Sequence, residues 1–300
     1  MSKLDLSVKL ASLTLKNPII TASGTCGTGE ELEGYFDLNQ LGALTVKGIT
    51  VKPSTGNPTP RIAETPGGIL NSIGLENPGI EEFIKTKLDI IKKYRLPVLV
   101  NISGYSIEDF SILAEKLSPI KEIAGLEVNV SCPNIAGGGL AFGTDSGMVY
   151  QITREVKNTY SGPVIVKLSP NVTDIVEIAR AAEEGGADAV SLINTVLGMA
   201  IDLEREEPVL GNTFGGLSGP AIKPIALRMV YQVASSLEIP VIGMGGIMSG
   251  RDALEFILAG ASAVAVGTAT LVDPQAPIRI LKELKDYLIN RGYTRLAELQ

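Results

Sequence analysis

The sequence contains no histidine and no tryptophan. The absence of histidine removes the commonest general base, most zinc sites and every Ser-His-Asp arrangement. Any proton transfer must therefore fall to Cys, Lys, Asp, Glu or Tyr. Cysteine is scarce too, and the two present, Cys26 and Cys132, can neither build a disulfide framework nor ligate an iron–sulfur cluster alone. No basic tract interrupts a net charge of −7, from 26 Lys and Arg against 33 Asp and Glu, which speaks against a nucleic-acid surface. A small anionic ligand stays compatible with that charge, because one or two buried lysines outweigh distant acids at contact range. No apolar run approaches the about 20 residues of a membrane span. The opening MSKLDLSVKLASLTLKN alternates polar and apolar residues and lacks the apolar core of a signal peptide. A cytoplasmic location is expected, with no membrane partner.

What the chain does have is repetition. Short runs rich in Val, Ile and Leu, bounded by Pro, Gly or Asp, fall at 18–22, 43–48, 97–102, 125–130, 163–168, 187–193, 240–244 and 261–267. They read as strands buried on both faces. Segments of helical spacing lie between most of them, at 80–93, 107–117, 148–158 and 172–184, and Asn171, Thr173 and Asp174 offer a helix start after Pro170. Repeated strand–helix units predict a parallel sheet, and eight of them predict a closed α/β (β/α)8 TIM barrel. A doubly wound open sheet is the alternative, but the strands show no reversal of order. The 300 residues, somewhat above the about 250 typical of one barrel, are expected to form a single domain over 1–300. An N-terminal β-hairpin over 4–16 should cross the barrel floor. Two long βα segments, 50–75 and 195–218, lack an obvious early helix, and loops of that length usually serve a binding site.

Polar residues stand where the strands end, the face on which barrels carry their chemistry. Lys47 closes the second strand, Asn101 the third, Asn129 and Cys132 the fourth, Lys167 the fifth, Asn194 and Thr195 the sixth. A single such residue could simply satisfy a loop backbone group. Two lysines and three asparagines at one mouth are harder to explain so, since burying a lysine without purpose is expensive. The pattern suits an anion bearing several amide-like groups. The last two strands end instead in Gly243-Met-Gly-Gly246 and Gly267-Thr268, where backbone N–H groups can approach a phosphate closely. A dinucleotide site would want an acidic residue at the end of the next strand, which reads Ser-Ala-Val-Ala-Val-Gly-Thr. A mononucleotide phosphate fits better. Glycines serving only as turns are the plain alternative.

Cys132 lies in Asn129-Val-Ser-Cys-Pro-Asn134, followed by Gly137-Gly-Gly139 and Phe142-Gly-Thr144. A free cysteine is usually a small buried hydrophobe, and that suffices for Cys26. At a barrel mouth, beside lysines and with no histidine available, the Cys132 thiolate is the natural base. The glycine-rich loop after it has the freedom to open for substrate and close to exclude water.

Several segments together resemble those of class 1 dihydroorotate dehydrogenases: Asn71-Ser-Ile-Gly-Leu75, Asn129-Val-Ser-Cys-Pro-Asn134 and Gly243-Met-Gly-Gly246. Others resemble the class 1B catalytic subunit, namely Ala22-Ser-Gly-Thr25, Thr45-Val-Lys-Gly-Ile49, Pro58-Thr-Pro-Arg-Ile-Ala-Glu-Thr-Pro66 and Gly138-Gly-Leu-Ala-Phe-Gly-Thr144. The similarity runs from about Leu4 to beyond Thr268. It implies oxidation of dihydroorotate to orotate in pyrimidine biosynthesis, with FMN in this chain and Cys132 as the C5 base. It also implies that Lys47, Asn71, Ser72, Ile73, Gly74, Leu75, Asn129, Asn194 and Thr195 hold the substrate. FMN would meet Ser23, Lys47, Gly48, Asn101, Asn129, Lys167, Ile193 and Gly219, with Gly245, Gly246, Gly267 and Thr268 near its phosphate. A partner subunit carrying FAD and a [2Fe–2S] cluster would pass electrons to NAD⁺, in a heterotetramer of two catalytic and two electron-transfer chains.

Other readings stay open on sequence alone. A class 1A type of enzyme would reduce fumarate, and a related flavoenzyme could act on another pyrimidine. A Schiff-base lyase would use Lys167 or Lys47 as nucleophile. A barrel kept as a binding scaffold would be expected to lose the base or the glycines, and both are present. Arg61 reads as a solvated loop charge.

Overall fold

A computed structural model describes residues 4–131, 133–134 and 140–299. Eight parallel strands follow one another around a ring: β1 (Ile19–Thr21), β2 (Leu44–Ile49), β3 (Val98–Ile102), β4 (Gly125–Asn129), β5 (Val164–Lys167), β6 (Ala189–Leu192), β7 (Val241–Met244) and β8 (Ala263–Val266). β8 pairs with β1 through Val264 and Ile19. The ring closes where Ile20 bridges Ala43 and the Gly42 N–H donates to the Ile19 carbonyl at 2.8 Å. This closure excludes the open doubly wound sheet.

Alternation along each strand separates two sets of side chains. Leu44, Val46, Val98, Val100, Leu126, Val128, Val164, Val166, Val190 and Val264 point outward into the layer of helices. Ile20, Ala43, Leu99, Ile165, Ala189, Ile242, Ala263 and Ala265 point into the barrel. Three of those inward residues, Ala43, Ala189 and Ala263, are alanines at the amino ends of their strands, which leaves space at the floor. Leu10 and Leu15 fill it from the hairpin Val8–Leu10/Leu13–Leu15, both fully buried in the same inner cluster. Each leucine placed there is worth about 1.5–3 kcal/mol of apolar burial.

Helices cover the barrel, the first four close to where their spacing places them. These are α1 (Ile80–Ile91), α2 (Ile107–Leu117), α3 (Ser146–Thr159), α4 (Ile175–Glu184), α5 (Lys223–Ala234) and α6 (Gly250–Leu258), followed by the short α7 (Thr268–Val272) and α8 (Ala276–Asn290). Asp174 caps α4, its carboxylate accepting from the N–H groups of Val176 and Glu177. The β1–β2 connection carries only a short 3-10 turn, Leu38–Gln40, and α8 packs against β1 instead. No described helix is long and apolar enough to cross a membrane.

The two long βα segments do more than loop. Val196–Met199, Phe214–Ser218, Gly68–Asn71 and Ile62–Thr65 form a second, antiparallel four-stranded sheet, in that order. Its central pairing sets Gly216 opposite Asn71 and Ser218 opposite Ile69. Residues separated by about half the chain are thus locked together at the carboxyl ends of the barrel strands.

Candidate active site at the barrel mouth

The inward face of the barrel changes chemistry as the strands reach their carboxyl ends. On β3 to β6 it turns polar, with Asn101, Glu127, Lys167 and Ser191 all buried. Across the ring, β7, β8 and β1 continue with Met244, Ala265 and Ala22. A cleft opens between these halves, lined among others by Ser23, Lys167, Asn194, Thr195, Gly246 and Thr268. It is polar along one wall and apolar with glycine along the other. Such a cleft suits a flat ring with one hydrogen-bonding edge.

The structure brings most of the predicted cofactor residues to this cleft. Ser23, Lys167, Ile193, Gly219, Gly245, Gly246, Gly267 and Thr268 all line it, together with the predicted substrate residues Asn194 and Thr195. The glycines are required by their surroundings. Gly219 and Gly246 have φ of +103° and +75°, and a methyl on Gly246 would lie 2.7 Å from Lys223 Cβ and 2.9 Å from the Gly219 carbonyl oxygen. Among the described residues, the N–H groups of Gly246 and Gly267 donate to no acceptor. Beside them, the Thr268 hydroxyl donates to Ser218 Oγ at 2.8 Å.

Other predicted residues support the polar wall from behind. The Asn194 side-chain amide donates to Asn129 Oδ1 at 3.3 Å, and Asn129 Nδ2 donates to Ser103 Oγ at 3.2 Å. Asn194 Oδ1 accepts from the Thr195 N–H at 2.8 Å. Gly48 stands against Asn101, whose Oδ1 would be 2.6 Å from any Cβ there. Lys47 is half-buried on the same strand, anchored by its N–H to the Gly27 carbonyl at 2.8 Å.

Asn71 to Leu75 reach the mouth through the second sheet. Asn71 Nδ2 donates to the Gly216 carbonyl at 3.2 Å, and a side chain on Gly216 would strike Thr195 Oγ1. The rest of the segment hangs on residues 54–61. Asn57 donates from Nδ2 to Ser72 Oγ at 2.9 Å and from its N–H to the Ile73 carbonyl at 3.0 Å, while Ser54 Oγ donates to the Gly74 carbonyl at 3.2 Å. Gly74 and Leu75 both take left-handed backbone, with φ of 74° and 57°.

Arg61 departs from its expected role as a solvated charge. It donates from Nε to the Asn57 carbonyl at 2.6 Å and from Nη2 to the Thr55 carbonyl at 2.7 Å, and pairs through Nη1 with Glu76 at 2.8 Å. A guanidinium with five fixed donors is well suited to clamp a loop in this way. Cys132 lies outside the described residues. Cys26 is buried, as expected of a packing residue, and burial pushes its thiol up to about 12.

Sequence reasoning missed Glu127. It is 2% exposed, its Oε1 accepts from Asn101 Nδ2 at 2.6 Å, and its Oε2 accepts from Ser191 Oγ at 3.0 Å. Lys167 Nζ stands 4.0 Å from Oε1. The signal was available: a lone charge in Gly-Leu-Glu-Val-Asn-Val, two positions before Asn129, must share its inward face. Ser191 and Ser218, each inside or beside an apolar run, carried no comparable signal.

Fold and mouth together define a (β/α)8-barrel enzyme with its cleft at the carboxyl ends of the strands. The comparisons narrow this class. The chain belongs to the dihydroorotate dehydrogenase family, whose model matches residues 5–288. It is 55% identical over 299 residues to the "Dihydroorotate dehydrogenase B (NAD(+)), catalytic subunit" of Geobacter metallireducens, covering 100% of this chain and 98% of that one. The proteins of the same name from Alkaliphilus metalliredigens and Desulforamulus reducens are 54% and 56% identical, covering 100% and 99% of this chain and 99% and 98% of theirs. The family is flavin-dependent. The residues present fit such a group: the glycine wall of the cleft offers unbonded N–H groups, and its polar wall holds the buried Lys167.

Proposed function

We propose that this chain oxidises dihydroorotate to orotate, with FMN in the cleft and Cys132 as the base. The observation that carries the reading is the coincidence of one cleft with residues of β1, β5, β6, β7 and β8 that family resemblance assigns to flavin and substrate. FMN would supply a two-electron acceptor for the hydride from C6. Gly245, Gly246, Gly267 and Thr268 would hold its phosphate; Ser23, Lys47, Gly48, Asn101, Asn129, Lys167, Ile193 and Gly219 would hold the rest. Lys167 would contribute a positive charge to the polar wall of the cleft, which favours a reduced ring bound there.

Lys47, Asn129, Asn194 and Thr195 bind the substrate's carboxylate and ring amides, and Asn71 to Leu75 cover it from the second sheet. Binding of this kind fixes the reacting carbon and excludes water, so orientation supplies much of the rate. The Cys132 thiolate takes the C5 proton. The relatives are named for NAD(+) and as catalytic subunits, which supports NAD⁺ over fumarate as the final acceptor. A partner subunit carrying FAD and [2Fe–2S] would complete the transfer, in a cytoplasmic heterotetramer of two catalytic and two electron-transfer chains.

Anaerobic stopped flow on Cys132→Ala tests the base. Loss of a positioned general base is expected to slow flavin bleaching by dihydroorotate about 10²–10⁴-fold at neutral pH. Bleaching at the unmodified rate would overturn the assignment. Purification of the untagged chain from its own host tests the partner, which should co-elute as a second chain with flavin and iron–sulfur absorbance. A colourless protein trapped by borohydride would point instead to a Schiff-base lysine.

A further inference from the structure

Glu127 stands at the centre of a buried network that ties four consecutive barrel strands together, and the proposed reaction gives it no task. Asn101 comes from β3, Glu127 from β4, Lys167 from β5 and Ser191 from β6, with residue exposures of 2%, 2%, 7% and 0%. A carboxylate this deep is costly unless a cation and hydrogen-bond donors meet it. The two oxygens are met separately. Oε1 accepts from Asn101 at 2.6 Å and Oε2 from Ser191 at 3.0 Å.

The lysine is treated differently. Its Nζ lies 4.0 Å from Oε1, within ion-pair range but beyond hydrogen-bond reach. Among the described residues Glu127 is the one carboxylate at that range. Lys167 therefore has a counter-charge that does not consume its N–H donors, and those donors remain for whatever occupies the cleft it lines. Had neither serine nor asparagine held the carboxylate, its short path to Lys167 would close into a direct hydrogen-bonded pair. The same contact fixes Asn101. With Nδ2 committed to Glu127, Oδ1 must face the strand carrying Gly48, where the absence of a side chain admits it.

We propose that Glu127 is a positioning residue that balances the charge of Lys167 without tying it, and orients the Asn101 amide, thereby setting the electrostatic environment of the bound flavin. The inference rests on the FMN reading. A group held only for packing would affect stability and leave that environment alone. Removing the negative charge makes the polar wall one unit more positive, which favours the electron-rich reduced ring.

The experiment is a spectroelectrochemical titration of the flavin-loaded protein as Glu127→Gln and Glu127→Asp. The expected result is a shift to more positive potential in E127Q and a return towards the unmodified value in E127D, which keeps the charge. An unchanged potential in E127Q, with or without lost stability, overturns the proposal. Should E127Q fail to fold, Ser191→Ala replaces it. That variant leaves both charges but frees Oε2, so the carboxylate can close on Lys167 and the potential should shift negative; no shift overturns the proposal.

If the unmodified chain purifies with no flavin spectrum and takes up none, it is the FMN reading that fails. Glu127 is then judged by urea unfolding of the flavin-free chain. E127Q should lower the midpoint in the parent and not in a Lys167→Met background. Equal losses in both backgrounds would refute the pairing.

Discussion

Replacing Gly246 by alanine is the sharpest probe of the glycine wall. Its φ of +75° lies in the left-handed region, where a side chain costs about 1–2 kcal/mol. Space is short as well: the new methyl would lie 2.7 Å from Lys223 Cβ and 2.9 Å from both the Gly219 carbonyl oxygen and the Lys223 nitrogen. Neither neighbour retreats easily. Lys223 is held through Nζ by Asp252 at 2.7 Å and Glu255 at 2.9 Å, and its backbone opens α5. Gly219 is itself pressed against Gly68, whose Cα would be 2.7 Å from a Cβ at 219. Overpacking of this sort adds about 1–3 kcal/mol, so the total should reach about 2–5 kcal/mol.

Two assays follow from that figure. Urea unfolding of the flavin-free protein should show a loss of this size, a large share of the about 5–15 kcal/mol that holds a typical protein folded. Flavin affinity should fall as well, because relief of the clash displaces the Gly246 N–H; each tenfold loss would correspond to about 1.4 kcal/mol. Gly34→Ala is the control. A methyl there meets nothing within 4 Å, and stability should stay within about 0.5 kcal/mol of the parent. If Gly246→Ala unfolded at the parent's urea midpoint and bound flavin equally well, the packing account of this wall would be wrong.

The remaining predictions concern titrating groups. Burial pushes the Asp252 carboxyl up, but hydrogen bonds from Lys223, Ser249 and the Met248 N–H outweigh it and hold it below the ordinary carboxylate range. Its folded value is thus the lower one, so its stabilisation is present above the unfolded value near 3.8 and disappears as pH falls through the folded value. Asp252→Asn should flatten that acid limb in urea midpoints measured across pH; an unchanged limb would sink the argument. Cys26, with its thiol raised to about 12 by burial, should not react with a disulfide reagent at pH 8 in native Cys132→Ala protein. One thiol should appear on unfolding, and fast labelling before unfolding would contradict the buried placement.

Much of this protein was written locally. Each barrel strand lies within a run of β-branched and aliphatic residues, because a strand buried on both faces has no polar side to show. α1 and α2 start at Ile80 and Ile107, where their apolar spacing starts, and α4 begins at the Asp174 cap. The polar strand ends were legible for the same reason, since Lys47, Asn101 and Lys167 each interrupt an apolar run at a fixed place. The second sheet was not legible. Residues 62–71 and 196–218 are short, glycine-rich strands whose partners lie far away along the chain, so no local period announces them. Arg61 looked solvated because its partners are mainly backbone carbonyls, which have no sequence signature.

The sequence by itself determined the barrel, its polar mouth and the chemistry open to a chain without histidine. Only the tertiary structure decided how those groups are poised. Closing the ring set Asn101, Lys167 and Ser191 around the buried carboxylate of Glu127, with the lysine near its counter-charge yet free to donate. Composition and spacing name the residues that reach a face. The distance between 2.6 Å and 4.0 Å, which separates a hydrogen bond from a charge merely balanced, is fixed by how neighbouring strands pack.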